Sequence, residues 1–233
     1  MTDDAARPVA LLSGASRGIG LALARRLTAD GWRLSLGMRA PEPMDGVDPE
    51  AQLIAHDATK ADEAAWVEAA RGRFGRIDAV IACAGVMAPK SVIEVDDETL
   101  DGMWEVNVKS PRRLVSAAWP ELSAAGRGRV IVVASLSGKR VKSEMSGAYA
   151  MTKHAAVALV HGVRQAGWAS GVRATAVCPG FVATDMARAI TNFPEEKMTR
   201  PEDVANLVAL ALAAPNEASV AELHVNCNLE ESY

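Results

Sequence analysis

Short, unbroken apolar runs recur along this chain, each followed by a turn and then by a longer stretch with helical spacing. A strand that alternates apolar and polar residues has one wet face. A strand that is apolar throughout must be covered on both faces, which points to a parallel sheet wrapped by helices. Runs over residues 9–12, 33–38, 52–55, 77–82, 130–134, 172–177 and 223–225 predict the strands. Helical spacing is predicted over 19–30, 60–74, 99–124, 147–169 and 202–213, with Gly31 closing the first helix, Pro201 opening the last, and bends at Pro111 and Pro120. The least regular late segment predicts a flexible substrate loop over about 185–200. No composition break or linker divides the chain, so residues 1–233 read as one α/β domain.

The first strand runs into Ser13-Gly14-Ala15-Ser16-Arg17-Gly18-Ile19-Gly20 and then a helix. Glycines let the backbone approach a phosphate, and a helix N-terminus attracts an anion. Gly14, Ser16, Arg17, Gly18, Ile19 and Gly20 are therefore expected to cradle a dinucleotide pyrophosphate. The spacing is G-x-x-x-G-x-G. At the end of the second strand an acid selects NAD, and a base accommodates the 2′-phosphate of NADP. Arg39 lies just past that strand, with Arg17 as a second cation, which favours NADP; Glu42 keeps NAD open. Asp57, after the third strand, suits an adenine amino group or a helix N-cap.

Tyr149 and Lys153 stand four residues apart in a predicted helix and so share a face. A neighbouring ammonium is expected to lower the phenol pKa towards a useful acid/base range. The fifth strand ends in Ser135-Leu136-Ser137-Gly138, where Ser135 and Ser137 compete on spacing alone to hold a substrate oxygen.

Together these residues resemble the short-chain dehydrogenase/reductase family. The likeness runs from Val9 to about Val225 through Gly14, Gly18, Gly20, Asp57, Ala84-Gly85, Asn107, Ser135, Tyr149, Lys153 and Pro179-Gly180. It implies a Rossmann fold: a doubly wound, seven-stranded parallel sheet with three helices on each side. It implies Tyr149 as the general acid/base, Lys153 on the nicotinamide ribose, and Asn107 holding a relay water. It selects Ser135, three residues before Gly138, to orient the substrate oxygen. Ala84, Gly85, Pro179, Gly180, Val182 and Thr184 would border the nicotinamide, with the Thr184 hydroxyl on the carboxamide. Three departures stand out. Ala82-Cys83 replaces the usual Asn-Asn, Ser13 replaces a threonine, and Ser135 to Tyr149 is one residue longer than the family pattern.

The implied activity is hydride transfer between a nicotinamide cofactor and a carbonyl or alcohol, with NADPH favoured. Its rivals are an NAD-dependent alcohol dehydrogenase and a dinucleotide-sensing regulator without turnover. Ser137, Met145, Phe181 and Met186 are expected in the substrate pocket, hinting at an apolar substrate. The formal charge of −4 gives no reason to expect nucleic acid or an anionic membrane as partner. Arg127, Arg129, Lys139, Arg140 and Lys142 read as solvated loop charges. Cys83, Cys178 and Cys227 lack metal-ligand or redox spacing, so neither a metal site nor a disulfide scaffold is expected. No apolar stretch reaches the ~18 residues of a membrane span, and Met1-Thr2-Asp3-Asp4 is acidic, so a cytoplasmic protein is expected. The helix over 147–169 is apolar nearly all round, which predicts a homodimer or homotetramer.

Overall fold

The computed structural model describes residues 7–229; the acidic residues Met1 to Asp4 lie outside the described residues. Seven strands form one parallel sheet: β1 (Val9–Ser13), β2 (Arg33–Met38), β3 (Gln52–Ala55), β4 (Ala79–Ala82), β5 (Arg129–Val133), β6 (Arg173–Pro179) and β7 (Glu222–Val225). Their order is β3-β2-β1-β4-β5-β6-β7. The chain builds outward from β1 to β3, then returns to place β4 on the other side of β1. Connections diverge where the ends of β1 and β4 meet, at Ser13 beside Ala82, and such a switch point opens a ligand crevice. β1, β4 and β5 are buried at every position, as their unbroken apolar runs require.

Alternate residues of each strand feed two cores. Leu11, Val80, Val132 and Ala176 face α2 (Glu63–Phe74), α4 (Ser110–Ala117) and α6 (Gly147–Gly167). Leu12, Ile81, Ile131 and Val177 face α1 (Gly18–Ala29) and α8 (Pro201–Ala213). The second face thus carries two packed helices rather than the three that the family likeness implies. The β2–β3 connection, with Pro41, Pro43 and Pro49, forms no helix; its Met44, Val47 and Ala51 pack on the α1 core instead.

The long helical region is interrupted. It comprises α3 (Asp97–Trp104), a π-helical turn over Glu105–Lys109, then α4, and α5 (Trp119–Ala124). Asp96 starts it early by accepting from Thr99 N at 2.8 Å. Pro111 and Pro120 sit in the first turns of α4 and α5, and α4 directly follows the π-helical turn. The helix expected from residue 60 begins at Glu63. Residues 185–200 carry α7 (Asp185–Ile190) and a 3₁₀ turn at Glu195–Lys197, closed at the base by a bridge between Val182 and Thr199. Among the described residues no helix is long and apolar enough to cross a membrane.

Trp66 of α2 joins helix to sheet. It is 2% exposed, and its ring covers Gly37 of β2 so closely that a Cβ there would lie 2.6 Å away. Its Nε1 donates to Ser35 Oγ at 2.7 Å. Trp66→Ala should lower unfolding free energy by about 3–5 kcal/mol, measured by urea denaturation. A loss below about 1 kcal/mol would contradict this packing.

Candidate active site

One cleft of about 750 Å³ crosses the C-terminal edge of the sheet. Its first wall is the loop between β1 and α1. A Cβ on Gly20 would sit 2.0 Å from Gly14 O, so this turn closes only with glycine at 20. Gly14 N donates to Gly37 O at 2.9 Å. Ser13 Oγ accepts from Cys83 N at 3.2 Å and Ala84 N at 3.3 Å, so serine supplies the hydroxyl that joins the ends of β1 and β4. Arg17 occupies the N-cap position of α1 and gives no side-chain cap, which leaves the N–H groups of the first turn for an anion. Its guanidinium instead donates to Asp185 Oδ2 at 3.1 Å, linking the glycine loop to α7.

At the far end, Arg39 is exposed and lines the cleft with no hydrogen-bond or ion-pair partner among the described residues. Glu42 does not line it. Asp57 Oδ1 accepts from Thr59 N at 3.0 Å and Thr59 Oγ1 at 2.8 Å, and these bonds hold its carboxyl below the ordinary range. The N-cap alternative for Asp57 fails, because Asp62 holds the cap position of α2. Arg113 of α4 supports this turn from behind. It donates to Ala58 O at 3.0 Å and pairs with the buried Glu63 at 2.7 Å. His56 also lines the cleft. Its Nδ1 bonds Asp62, and its buried Nε2 has no hydrogen-bond partner among the described residues.

At the other end, Ser135 leaves β5 extended and caps the 3₁₀ turn Leu136–Gly138. Its Oγ accepts from Ser137 N at 3.1 Å and donates to Pro179 O at 3.4 Å, and it acts on the Tyr149 phenol. The turn presses on α6: a Cβ on Gly138 would lie 2.6 Å from Lys153 O. That contact sets Ser135 beside Tyr149 and Lys153, which are 7% and 4% exposed. Lys153 Nζ donates to Val133 O at 2.9 Å and lies 5.6 Å from the Tyr149 ring centroid.

Burial raises the Tyr149 phenol above its usual range, and the bond with Ser135 offsets part of that. Burial pushes the Lys153 amine down to about 8. The expected lowering of the phenol by the lysine is therefore reversed. The ammonium is spent on Val133 O and the ring rather than on the phenol oxygen, and desolvation wins.

Asn107 does not line the cleft. It sits in the π-helical turn, where Nδ2 donates to Val86 O at 2.9 Å and Thr152 Oγ1 at 3.0 Å, and Oδ1 accepts from Val86 N at 3.0 Å. Thr152 in turn donates to Tyr149 O at 2.8 Å. Asn107 thus ties the segment after β4 to α6. The anchoring role of Thr152 had no signal in the sequence. Gly85 approaches both groups: a Cβ there would lie 3.5 Å from Asn107 Oδ1 and Lys153 Nζ.

Ser16, Gly18, Ile19, Ala84, Gly180, Val182, Ser137, Met145, Phe181 and Met186 all line the cleft as expected from the sequence. Arg140, Lys142, Ser146, Asn226 and Asn228 line it too. Thr184 Oγ1 donates to Val182 O at 3.1 Å and accepts from Ala187 N at 3.4 Å, capping α7. The 3₁₀ turn Glu144–Ser146, with Ser143 and Ser146 capping it, lies within the span that is one residue longer than the family pattern.

The family model for short chain dehydrogenases matches residues 8–195. An agropine synthesis reductase of Rhizobium rhizogenes is 39% identical over 229 residues, covering 96% of this chain; the chain spans about half of that relative, 53% of its length. An alcohol dehydrogenase from the archaeon Thermococcus sibiricus, solved with 5-hydroxy-NADP, superposes with a TM-score of 0.85 at 31% identity, covering 97% of this chain and 100% of that one. A metagenomic short-chain oxidoreductase solved with NADP gives 0.79 at 28%, covering 96% and 98%.

With its folded pKa lowered to about 8 from near 10.5, Lys153 binds fewer protons in the folded chain than in the unfolded one between those values. Stability should therefore rise with pH from about 8, then turn over above about 9, where the raised pKa values of the buried Cys83 and Cys178 thiols, joined near 10 by Tyr149, act in the opposite sense. Lys153→Met should flatten the rise in denaturation curves taken across this window. An equal slope in both proteins would contradict the desolvated amine.

Proposed function

Because this chain belongs to the short-chain dehydrogenase/reductase family, we propose that it is an NADPH-dependent oxidoreductase acting on a carbonyl or alcohol. The observation that carries this reading is the meeting of Ser135, Tyr149 and Lys153 on the same cleft as the glycine turn. When bound, the cofactor supplies the hydride. The fit is chemical. An uncapped helix N-terminus suits a pyrophosphate, Arg39 suits a 2′-phosphate, and an unpartnered His56 nitrogen awaits a polar neighbour.

Gly14, Ser16, Gly18, Ile19 and Gly20 would hold the pyrophosphate. Arg39 would take the 2′-phosphate, with Arg17 at the rim, and Asp57 the adenine amino group. Ala84, Gly85, Pro179, Gly180, Val182 and Thr184 would border the nicotinamide. In this reading Ser135 fixes the substrate oxygen, and Tyr149 gives it a proton. A phenol kept protonated by burial suits the donor of a reduction. Lys153 would bind the ribose. Asn107 would act by holding α6 in place through Val86 and Thr152, and no contact with the cleft supports the relay water that the family likeness implies.

NADPH over NADH rests on Arg39, on the absence of Glu42 from the cleft lining, and on the 5-hydroxy-NADP in the Thermococcus relative. Met145, Phe181 and Met186 beside Arg140 and Lys142 favour a carbonyl compound with both apolar and polar parts. Met151 and Trp168 remain exposed on and just beyond α6, while Ala148, Ala156, Val160 and Val163 are covered within the chain. That narrower strip is the proposed contact of a homodimer or homotetramer, and a solution mass of 24.5 kDa by light scattering would refute it.

Tyr149→Phe should retain NADPH binding and lose at least about a hundredfold in turnover; near-normal turnover would remove Tyr149 from the mechanism. Arg39→Asp should lower kcat/KM with NADPH and move the preference towards NADH. A wild-type chain that already prefers NADH would show that Arg39 does not meet a 2′-phosphate.

A further inference from the structure

A second polar cluster lies on the α6 side of the edge strand β7, and the proposed reaction uses none of it. Glu222 is its hub. Its Oε1 shares a hydrogen bond with His161 Nε2 of α6 at 2.8 Å, and its Oε2 shares one with His224 Nε2 at 2.7 Å. Lys139 Nζ donates to the same carboxylate at 3.1 and 2.9 Å. Cys178 of β6 stands opposite His224 in the parallel register. The donor atoms of Cys178, Glu222 and His224 all lie within 4.8 Å of one another. None of these five residues lines the dinucleotide cleft.

We propose that Cys178, Glu222 and His224 form a binding site for a borderline-soft divalent cation of the zinc type, with His161 as the fourth donor. The donor chemistry selects the ion. Thiolate, imidazole and carboxylate together suit Zn²⁺ and its late transition-metal neighbours, and do not suit Mg²⁺ or Ca²⁺. An ion pair with Lys139 needs only the carboxylate. It does not account for two imidazoles converging on that carboxylate beside a buried thiol.

Charge balances as well. Cys178 gives its proton to solvent on binding the metal, so one thiolate and one carboxylate neutralise a divalent ion. The Lys139 ammonium, now the resident cation, must swing out. Tetrahedral zinc bonds place donor atoms about 3.3–3.7 Å apart, so Cys178, Glu222 and His224 must draw together from separations of up to 4.8 Å, and His161, which lies outside that group, must swing further. The imidazoles of His224 and His161 are 33% and 46% exposed, at the surface, where such a turn is cheap. The ligands come from β6, β7 and α6, which is why cysteine spacing in the sequence does not reveal the site.

The test is Zn²⁺ titration of the full chain against a chromophoric chelator, with and without saturating NADPH. One equivalent should bind with a Kd of about 1 μM or tighter, unchanged by NADPH. His224→Ala, on the edge strand, should weaken binding at least about tenfold. Lys139→Met should tighten it, because the competing ammonium is gone. Co²⁺ should give a sulfur-to-metal absorption band in the wild type that Cys178→Ser, checked for an unchanged melting temperature, loses. If Cys178→Ser fails to fold, the His224→Ala and Lys139→Met pair still decides the matter. No stoichiometric Zn²⁺ binding, equal binding by His224→Ala, or Lys139→Met binding no tighter than the wild type would each overturn the site.

Discussion

The contact on which the reacting end depends is the press of the Leu136–Gly138 turn against α6. It brings the backbone so near Lys153 O that a side chain at 138 has no room. Through it, the last residue of one strand connection and the first turns of the following helix become a single unit. Ser135 then reaches Tyr149, and Lys153 is driven beneath the sheet edge to Val133 O. Everything else in the cleft is arranged around that unit. The glycine turn faces it across the switch point, and the Pro179–Thr184 segment passes over it from β6.

Burial has a cost that the surroundings partly offset. An ammonium and a phenol held almost wholly out of water each lean towards the neutral form. Lys153 receives one carbonyl as its hydrogen-bond partner, and Ser135 offsets part of the shift at Tyr149. The strain is not uniform along the cleft, since the Arg39 end is open and exposed. Binding at that end is therefore governed by charge, and chemistry at the other by desolvation. Behind both, Asn107 and Arg113 act from positions out of contact with the cleft, each fastening a turn that lines it.

Much of this was legible in the sequence. The strands announce themselves because a doubly covered strand is apolar at every position. The glycine turn, Tyr149 and Lys153 were legible because their chemistry depends on local spacing, whereas spacing left Ser135 and Ser137 in competition and only the family likeness chose between them. Other features depend on tertiary placement and were not. The π-helical turn at Glu105–Lys109 has no pattern distinct from ordinary helix. The missing helix after β2 shows only as a Pro-rich stretch. His56, Thr152, Arg140 and Lys142 gain their places from elements distant in sequence. The sign of the Tyr149 shift was misjudged because spacing reveals a neighbour but not the depth of burial.

The most direct test of the account is rapid mixing of the protein and NADPH with a panel of aliphatic, aromatic and charged carbonyl compounds, following nicotinamide absorbance and alcohol product together. The account predicts carbonyl-dependent oxidation of NADPH with one alcohol formed per cofactor consumed. Tight NADPH binding with no oxidation by any carbonyl in the panel would contradict it and leave a dinucleotide sensor in its place.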